Sequence, residues 1–218
     1  VAVNIYQLSP TVGRGYPLVT SLTTSVVQSD PHFADVGLLM HMDGADNGTT
    51  FTDQTGKTVT VYSAVTKTDK LKFGTASGYF NGSSLLTVAS HTSLDFGTGD
   101  FTVECFIYIG TNGDYRVFHK WDSGGAGEWY MMAYMGGGGV TNIRWNGNTG
   151  SAYPISTGQW VHIACARAAG VLKGFVGGQV AFSIADTTSY TNTVALGLGD
   201  HPYYPGTSPL VGNLDEVR

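Results

Sequence analysis

The run DFGTGDFTVECFIY, residues 95–108, decides the fold. It opens with Gly97 and Gly99 in a polar turn and then alternates. Phe101, Val103, Cys105 and Ile107 fall on one side of an extended chain, and Thr102, Glu104, Phe106 and Tyr108 fall on the other. The first side is wholly apolar, while the second mixes polar groups with aromatic rings. That combination is expected of a strand in a two-sheet sandwich whose outer face curves over a groove. The chain on both sides of it reads as strands that pack on this one.

Toward the N-terminus, Leu38-Leu39-Met40 reads as a buried strand and Thr58–Tyr62 as a short one. Phe73–Gly82 and Leu85–Val88 read as a strand pair turning at Asn81-Gly82. Toward the C-terminus come Arg116–Trp121, Glu128–Met135, a run of four glycines at 136–139, and Thr141–Trp145. The last of these is closed by Asn146-Gly147, the strongest short hairpin signal. Gln159–Arg167 and Val171–Val176 follow, then Gly177-Gly178 as a two-residue turn into Gln179–Phe182. Ala195–Leu198 and Val211–Arg218 complete about a dozen strands at the spacing of a sandwich or jelly roll.

Composition agrees. Of 218 residues, 42% are hydrophobic, enough for a real core, and only 12% are charged, about half the usual share. The 31 glycines suit many short strands joined by tight turns. A net charge of −5 with no basic cluster argues against nucleic acid, whose binding draws on phosphate neutralisation. No apolar run approaches the ~20 residues of a membrane-spanning helix. No signal peptide is visible at Val1, although a processed chain would begin the same way. Cys105 and Cys165 lie in apolar runs and read as buried thiols, with a disulfide as the alternative.

Residues 1–35, rich in Thr, Ser, Val and Pro, lack long strands. They read either as an arm that orders by adding to a neighbouring protein or as a flexible tail. The domain proper is expected over residues 36–218.

Five blocks in order resemble the laminin-G-like, concanavalin-A-like jelly roll: LLMHMDGADNGTTFTDQTGK, KFGTASGYFNGSSLLTV, LDFGTGDFTVECFIY, TGQWVHIACAR and LDEVR. The lead-in DPHFADVGLLMHMDG looks like the version found in structural proteins of tailed bacteriophages and in some marine bacterial proteins. The resemblance implies an all-β fold of two antiparallel sheets and a structural calcium ion tying the start of the domain to its final strand. Asp43 and Asp215 match the carboxylate positions, and the turn at Asn81 would supply a further oxygen. Two carboxylates from distant segments suffice as anchors for an ion that takes 6–8 oxygens, carbonyls and water included. The alternative is that Asp43 caps a turn and Asp215 is a solvated strand-end residue. The chain departs from the family in having Gly177-Gly178 where Asp-Gly is usual, and in stopping at Arg218 before the last strand is normally finished.

For catalysis, laminarinase relatives of the fold carry a Glu-x-Asp-x-x-Glu run that sets two carboxylates across the scissile bond. This chain has none: Glu104 and Glu128 each lack a second acid nearby on the same strand. His41, His119, His162 and His201 lack metal-ligand spacing and read as packing or surface groups. For binding, sugar recognition pairs aromatic platforms with hydrogen-bonding loops. The candidates are Trp121 with Asp122, Trp145 with Asn146, and His201, Tyr203 and Tyr204 in a loop fixed by Pro202 and Pro205. Each ring has ordinary packing as its alternative, and Trp129 and Trp160 read as core or its edge.

The expectation is a non-enzymatic module that binds a glycan or cell-surface polysaccharide, on a virion or another extracellular assembly. Its neighbours would be held through residues 1–35 or through copies of itself. A purely structural decoration protein with no glycan ligand is the other reading.

Overall fold

The computed structural model describes residues 30–121 and 124–218. Residues 1–29 of the expected arm lie outside these residues, as does Asp122, and the rest of the arm includes a 3-10 turn at Phe33–Asp35. Fourteen strands occur among the described residues. They are β1 Val59–Tyr62, β2 Val65–Lys67, β3 Ser77–Asn81, β4 Leu85–Val88 and β5 Phe101–Ile109. Then come β6 Tyr115–Lys120, β7 Trp129–Tyr134, β8 Asn142–Trp145, β9 Asn148–Gly150 and β10 Trp160–Ala168. The last are β11 Val171–Val176, β12 Gln179–Ala185, β13 Leu196–Leu198 and β14 Val211–Asp215.

They form two seven-stranded antiparallel sheets, ordered β1-β4-β13-β6-β7-β8-β9 (sheet I) and β12-β11-β10-β5-β14-β3-β2 (sheet II). This is the jelly-roll sandwich expected. β5 alternates as its sequence demands: Val103, Cys105, Ile107 and Ile109 are buried, while Glu104, Phe106 and Tyr108 face outward and stay partly exposed. Their buried faces meet Phe118, Trp129, Met131 and Trp145 of sheet I in one continuous core. Trp129 stacks on Trp145 (centroids 5.2 Å), and Phe101 stacks on Trp145 at 5.3 Å. Cys105 and Cys165 are free and buried, and burial raises both thiols above their ordinary range.

Two local expectations differ from what forms, and two short strands were not expected. Leu38-Leu39-Met40 makes a single bridge, Met40 to Val217, rather than a strand. Asn81-Gly82 does not close a hairpin, because β3 belongs to sheet II and β4 to sheet I; the turn carries the chain across the core. β2 and β9, three residues each, are too short to leave a period in the sequence. By contrast, Asn146 and Gly147 (φ 43° and 88°) and Gly177 and Gly178 (φ 57° and 79°) take the positive φ pairs that two-residue hairpin turns require.

Candidate functional site

Between Gly199 and Leu210 the chain leaves sheet I and comes back beside Gly199 before crossing into sheet II as β14. Leu210 donates its backbone N–H to the Gly199 carbonyl (2.7 Å), and Arg116 donates its own to the Ser208 carbonyl (2.9 Å). Inside this loop the Asp200 carboxylate accepts the backbone N–H groups of His201 and Gly206, both at 2.7 Å. His201 Nδ1 accepts those of Tyr203 (3.0 Å) and Tyr204 (3.2 Å). A nitrogen that accepts carries no proton, so the ring proton sits on Nε2. Ala195 N–H donates to the Tyr203 hydroxyl at 3.2 Å. The loop is thus fixed from within, yet Tyr203 and Tyr204 remain 48% and 54% exposed. Two aromatic faces held in place and open to solvent are a platform, with little ordering left for a ligand to impose.

The platform stands on sheet I. The His201 ring, itself buried, lies 4.4 Å from His119 and 5.3 Å from Trp121, and His119 stacks on Tyr130 at 5.4 Å. Gly197 lets the loop descend, since a Cβ there would lie 2.7 Å from the Asp200 carbonyl oxygen and 2.8 Å from Pro202. A bulge in β6 also contributes. Regular alternation would send Arg116 and His119, three residues apart, to opposite faces. The register instead shifts between Arg116 and Phe118, turning both Val117 and Phe118 into the core. Arg116 and His119 then emerge together on the outer face, opposite Met132 and Tyr130 of β7. Burial, with Arg116 and His201 beside it, pushes the His119 imidazole down to about 2, so it is neutral at ordinary pH.

Of the aromatic candidates, the structure therefore brings Trp121, His201, Tyr203 and Tyr204 together. The other pair is a correction. Trp145 is 0% exposed, and its indole N–H donates to the Tyr190 hydroxyl at 3.0 Å. It points into the core because it alternates with Arg144, and no ligand reaches it. Asn146 is taken up by the start of the neighbouring strand β7: its side-chain oxygen accepts from Tyr130 N–H (2.8 Å) and its amide donates to the Glu128 carbonyl (3.0 Å).

Asp43 and Asp215 converge on one turn, residues 72–76. Asp43 Oδ1 accepts from Thr75 and Ala76 backbone N–H groups. Asp215 Oδ2 accepts from Lys72 (2.8 Å) and Phe73 (3.1 Å). Asp43 thus caps a turn, whereas Asp215 is fully buried rather than solvated, and its Oδ1 has no hydrogen-bond partner. Burial raises its carboxyl above the usual range. Asn81 does not join them. It pairs with Val211 at the far end of β14, and its side-chain oxygen accepts from Ser83 N–H and the Ser84 hydroxyl.

A second concavity, which the sequence reading missed, lies on the outer face of sheet II. It encloses about 220 Å³ lined by Leu39, His41, Glu104, Phe106, His162, Glu216 and Arg218. Glu104 bonds His162 across the β5–β10 register (3.2 Å), which holds its carboxyl below the ordinary range, and His41 Nδ1 meets Glu216 at 2.9 Å. The mixed outer face of residues 102–108 carried that signal, but the partner histidine is visible only once β10 is placed beside β5.

Residues 80–218, well over half of the chain, match the laminin-G-like family model described as the concanavalin A-like lectin/glucanases superfamily. The chain belongs to that superfamily. No curated protein sequence matches it. Among solved structures, this superfamily member resembles the binding domain of Paraclostridial Mosquitocidal Protein 1, with a TM-score of 0.61 and 13% identity. That alignment covers 83% of this chain and 47% of the other, so the chain spans about half the length of that relative. It also resembles domain 4 of AbnA, a GH43 extracellular arabinanase from Geobacillus stearothermophilus solved with arabinotriose (TM-score 0.55, 19% identity, 79% and 85% covered). A third similar structure is a putative carbohydrate binding protein from Bacteroides ovatus (TM-score 0.51, 18% identity, 65% and 42% covered). At these identities the likeness is one of fold.

Proposed function

We propose that this superfamily member is a non-enzymatic glycan-binding module whose contact surface is the Tyr203–Tyr204 platform, bordered by Trp121. The observation that carries the reading is the internally bonded loop that keeps two tyrosine rings exposed. Single exposed aromatic rings are ordinary on a protein surface, whereas two adjacent rings held outward by the loop's own hydrogen bonds mark a contact site. Here Asp200 and His201 spend their hydrogen bonds holding the rings outward. The arabinotriose complex of the structurally similar AbnA domain supports a sugar as the ligand class.

The resemblance of the lead-in residues 30–44 to tailed-phage proteins supports placement on a virion or other extracellular assembly, with residues 1–35 contacting neighbouring proteins. A structural calcium ion belongs to the same proposal. The residues fit it: Asp215 offers a buried oxygen with no partner, and Asp43 reaches the same turn. Asp43 and Asp215 would hold the ion, which would supply the positive charge that a buried carboxylate lacks.

A glycan array probed with the wild-type chain and with Tyr203→Ala/Tyr204→Ala tests the reading. Specific spots that vanish in the double variant support it. An array blank for the wild type, with residues 1–35 required for incorporation into an assembly, would instead favour the purely structural role.

A further inference from the structure

Beside the tyrosine loop, the outer face of sheet I carries a cross-strand row that no sugar-stacking role requires. Arg116 on β6 pairs with Met132 on β7, and Met132 pairs with Arg144 on β8, so the two arginines flank one methionine on one face. They are two of only five arginines in a chain of net charge −5. Across two strand spacings their backbones stand about 10 Å apart.

Both guanidinium groups have donors without acceptors. Arg116 Nε and Nη1 and Arg144 Nε are shielded from solvent and have no hydrogen-bond partner. The acid near Arg116 is Asp200, and both of its oxygens already hold the loop through His201 and Gly206. Arg144 lies 4.0 Å over the Tyr134 ring, a contact that orients the group without satisfying its N–H donors. Arg116 and Arg144 are each half-buried, so charge left uncompensated on them is costly, and a guanidinium fork matches a carboxylate in shape and charge. Deeper on the same face, His119 Nδ1 is another shielded nitrogen without a partner.

We infer that this row receives carboxylate groups of an acidic, uronate-bearing glycan, with Arg116 and Arg144 as the charge-reading anchors and the adjacent tyrosines as the stacking platform. The inference rests on the glycan reading and names its substrate class. An acidic sugar brings negative charge and acceptors to the partly exposed ends of the two guanidinium groups, which a neutral sugar of the same shape does more weakly. Binding then falls as salt rises, because part of it is charge attraction.

Calorimetric titration with polygalacturonate, alginate and hyaluronan, each against its methyl-esterified neutral form, tests this directly. The expected result is at least tenfold tighter binding of one acidic polymer than of its ester. Arg116→Gln and Arg144→Gln should each remove most of that difference while leaving ester binding and the melting temperature in place. Arg116→Lys, which keeps charge but not the fork, should fall between. Equal binding of acid and ester, or arginine variants indistinguishable from wild type, overturns the inference. So does dextran sulfate binding as tightly as the best uronate, since charge alone would then suffice. If neutral glycans bind and Tyr204→Ala weakens that binding while acid groups add nothing, only this inference fails. If no polymer and no array glycan binds, the glycan reading fails with it.

Discussion

Asp43 and Asp215 grip one turn from opposite ends of the domain's sequence: Asp43 holds the backbone N–H groups of Thr75 and Ala76, and Asp215 holds those of Lys72 and Phe73. The entry and the closing strand of the sandwich are fastened through the same few peptide groups. Asp215→Asn, which trades a charged acceptor for a neutral one beside two N–H donors, should cost about 2–3 kcal/mol. Chemical denaturation would show it. Millimolar calcium should raise the wild-type melting temperature, EDTA should reverse the gain, and the variant should respond to neither. A wild-type melting curve unmoved by calcium removes the ion from the account.

The tyrosine platform predicts a division of labour. Tyr204→Ala should weaken glycan binding by about 1–2 kcal/mol, roughly five- to thirtyfold, without altering stability, because the ring is more than half exposed. His201→Phe should keep the ring packing but lose the Nδ1 acceptor that both N–H groups share. It should weaken binding comparably and raise exchange of the Tyr203 and Tyr204 amides, read by hydrogen exchange.

His119 predicts a pH dependence. Its folded-state value, near 2, lies below the ~6.5 of an unfolded histidine, so the unfolded chain takes up the proton first. The stability contribution is complete above pH ~6.5 and is lost as pH falls below it, at no more than about 1.4 kcal/mol per pH unit. Replacing His119 with Gln should flatten the wild-type loss between pH 6.5 and 5 in urea titrations. An unchanged slope would place the titrating group elsewhere.

Arg167 predicts a large structural effect. It is buried between the Phe101 and Tyr190 rings, paired with Asp186 at 3.0 Å and bonded to the Gly97, Gly99 and Thr188 carbonyls. Removing one partner of a buried pair strands the other, so Asp186→Ala should cost about 3–5 kcal/mol. Arg167→Met/Asp186→Leu should recover part of that loss, because an apolar pair leaves no charge behind. Thermal unfolding of the two variants compares them.

Period-two alternation in residues 101–109 made the sandwich legible, as did the glycine turns at 146–147 and 177–178 that set hairpin register. The core role of Trp145 was not legible. A tryptophan beside Asn-Gly looks the same whether its strand turns that ring inward or outward, and the register against β7 decides it. The bulge in β6 was equally hidden, since Val117 and Phe118 are both apolar and a strand reading assigns them opposite faces. That one extra residue sets which polar side chains meet the loop, so Arg116, His119 and Arg144 could not be joined from sequence. The sheet II concavity depended likewise on a long-range pairing, β5 with β10.

The excursion from Gly199 to Leu210 departs from and rejoins the β-scaffold at a single neck, fastened by Leu210 N–H to the Gly199 carbonyl. Such an insert behaves as an exchangeable cassette: its length and aromatic content can drift while the fourteen-stranded frame keeps its pairing. Selection for a new ligand would then act on these few residues first. Grafting a foreign segment between the same two anchors is the shortest engineering route to a different specificity on this frame.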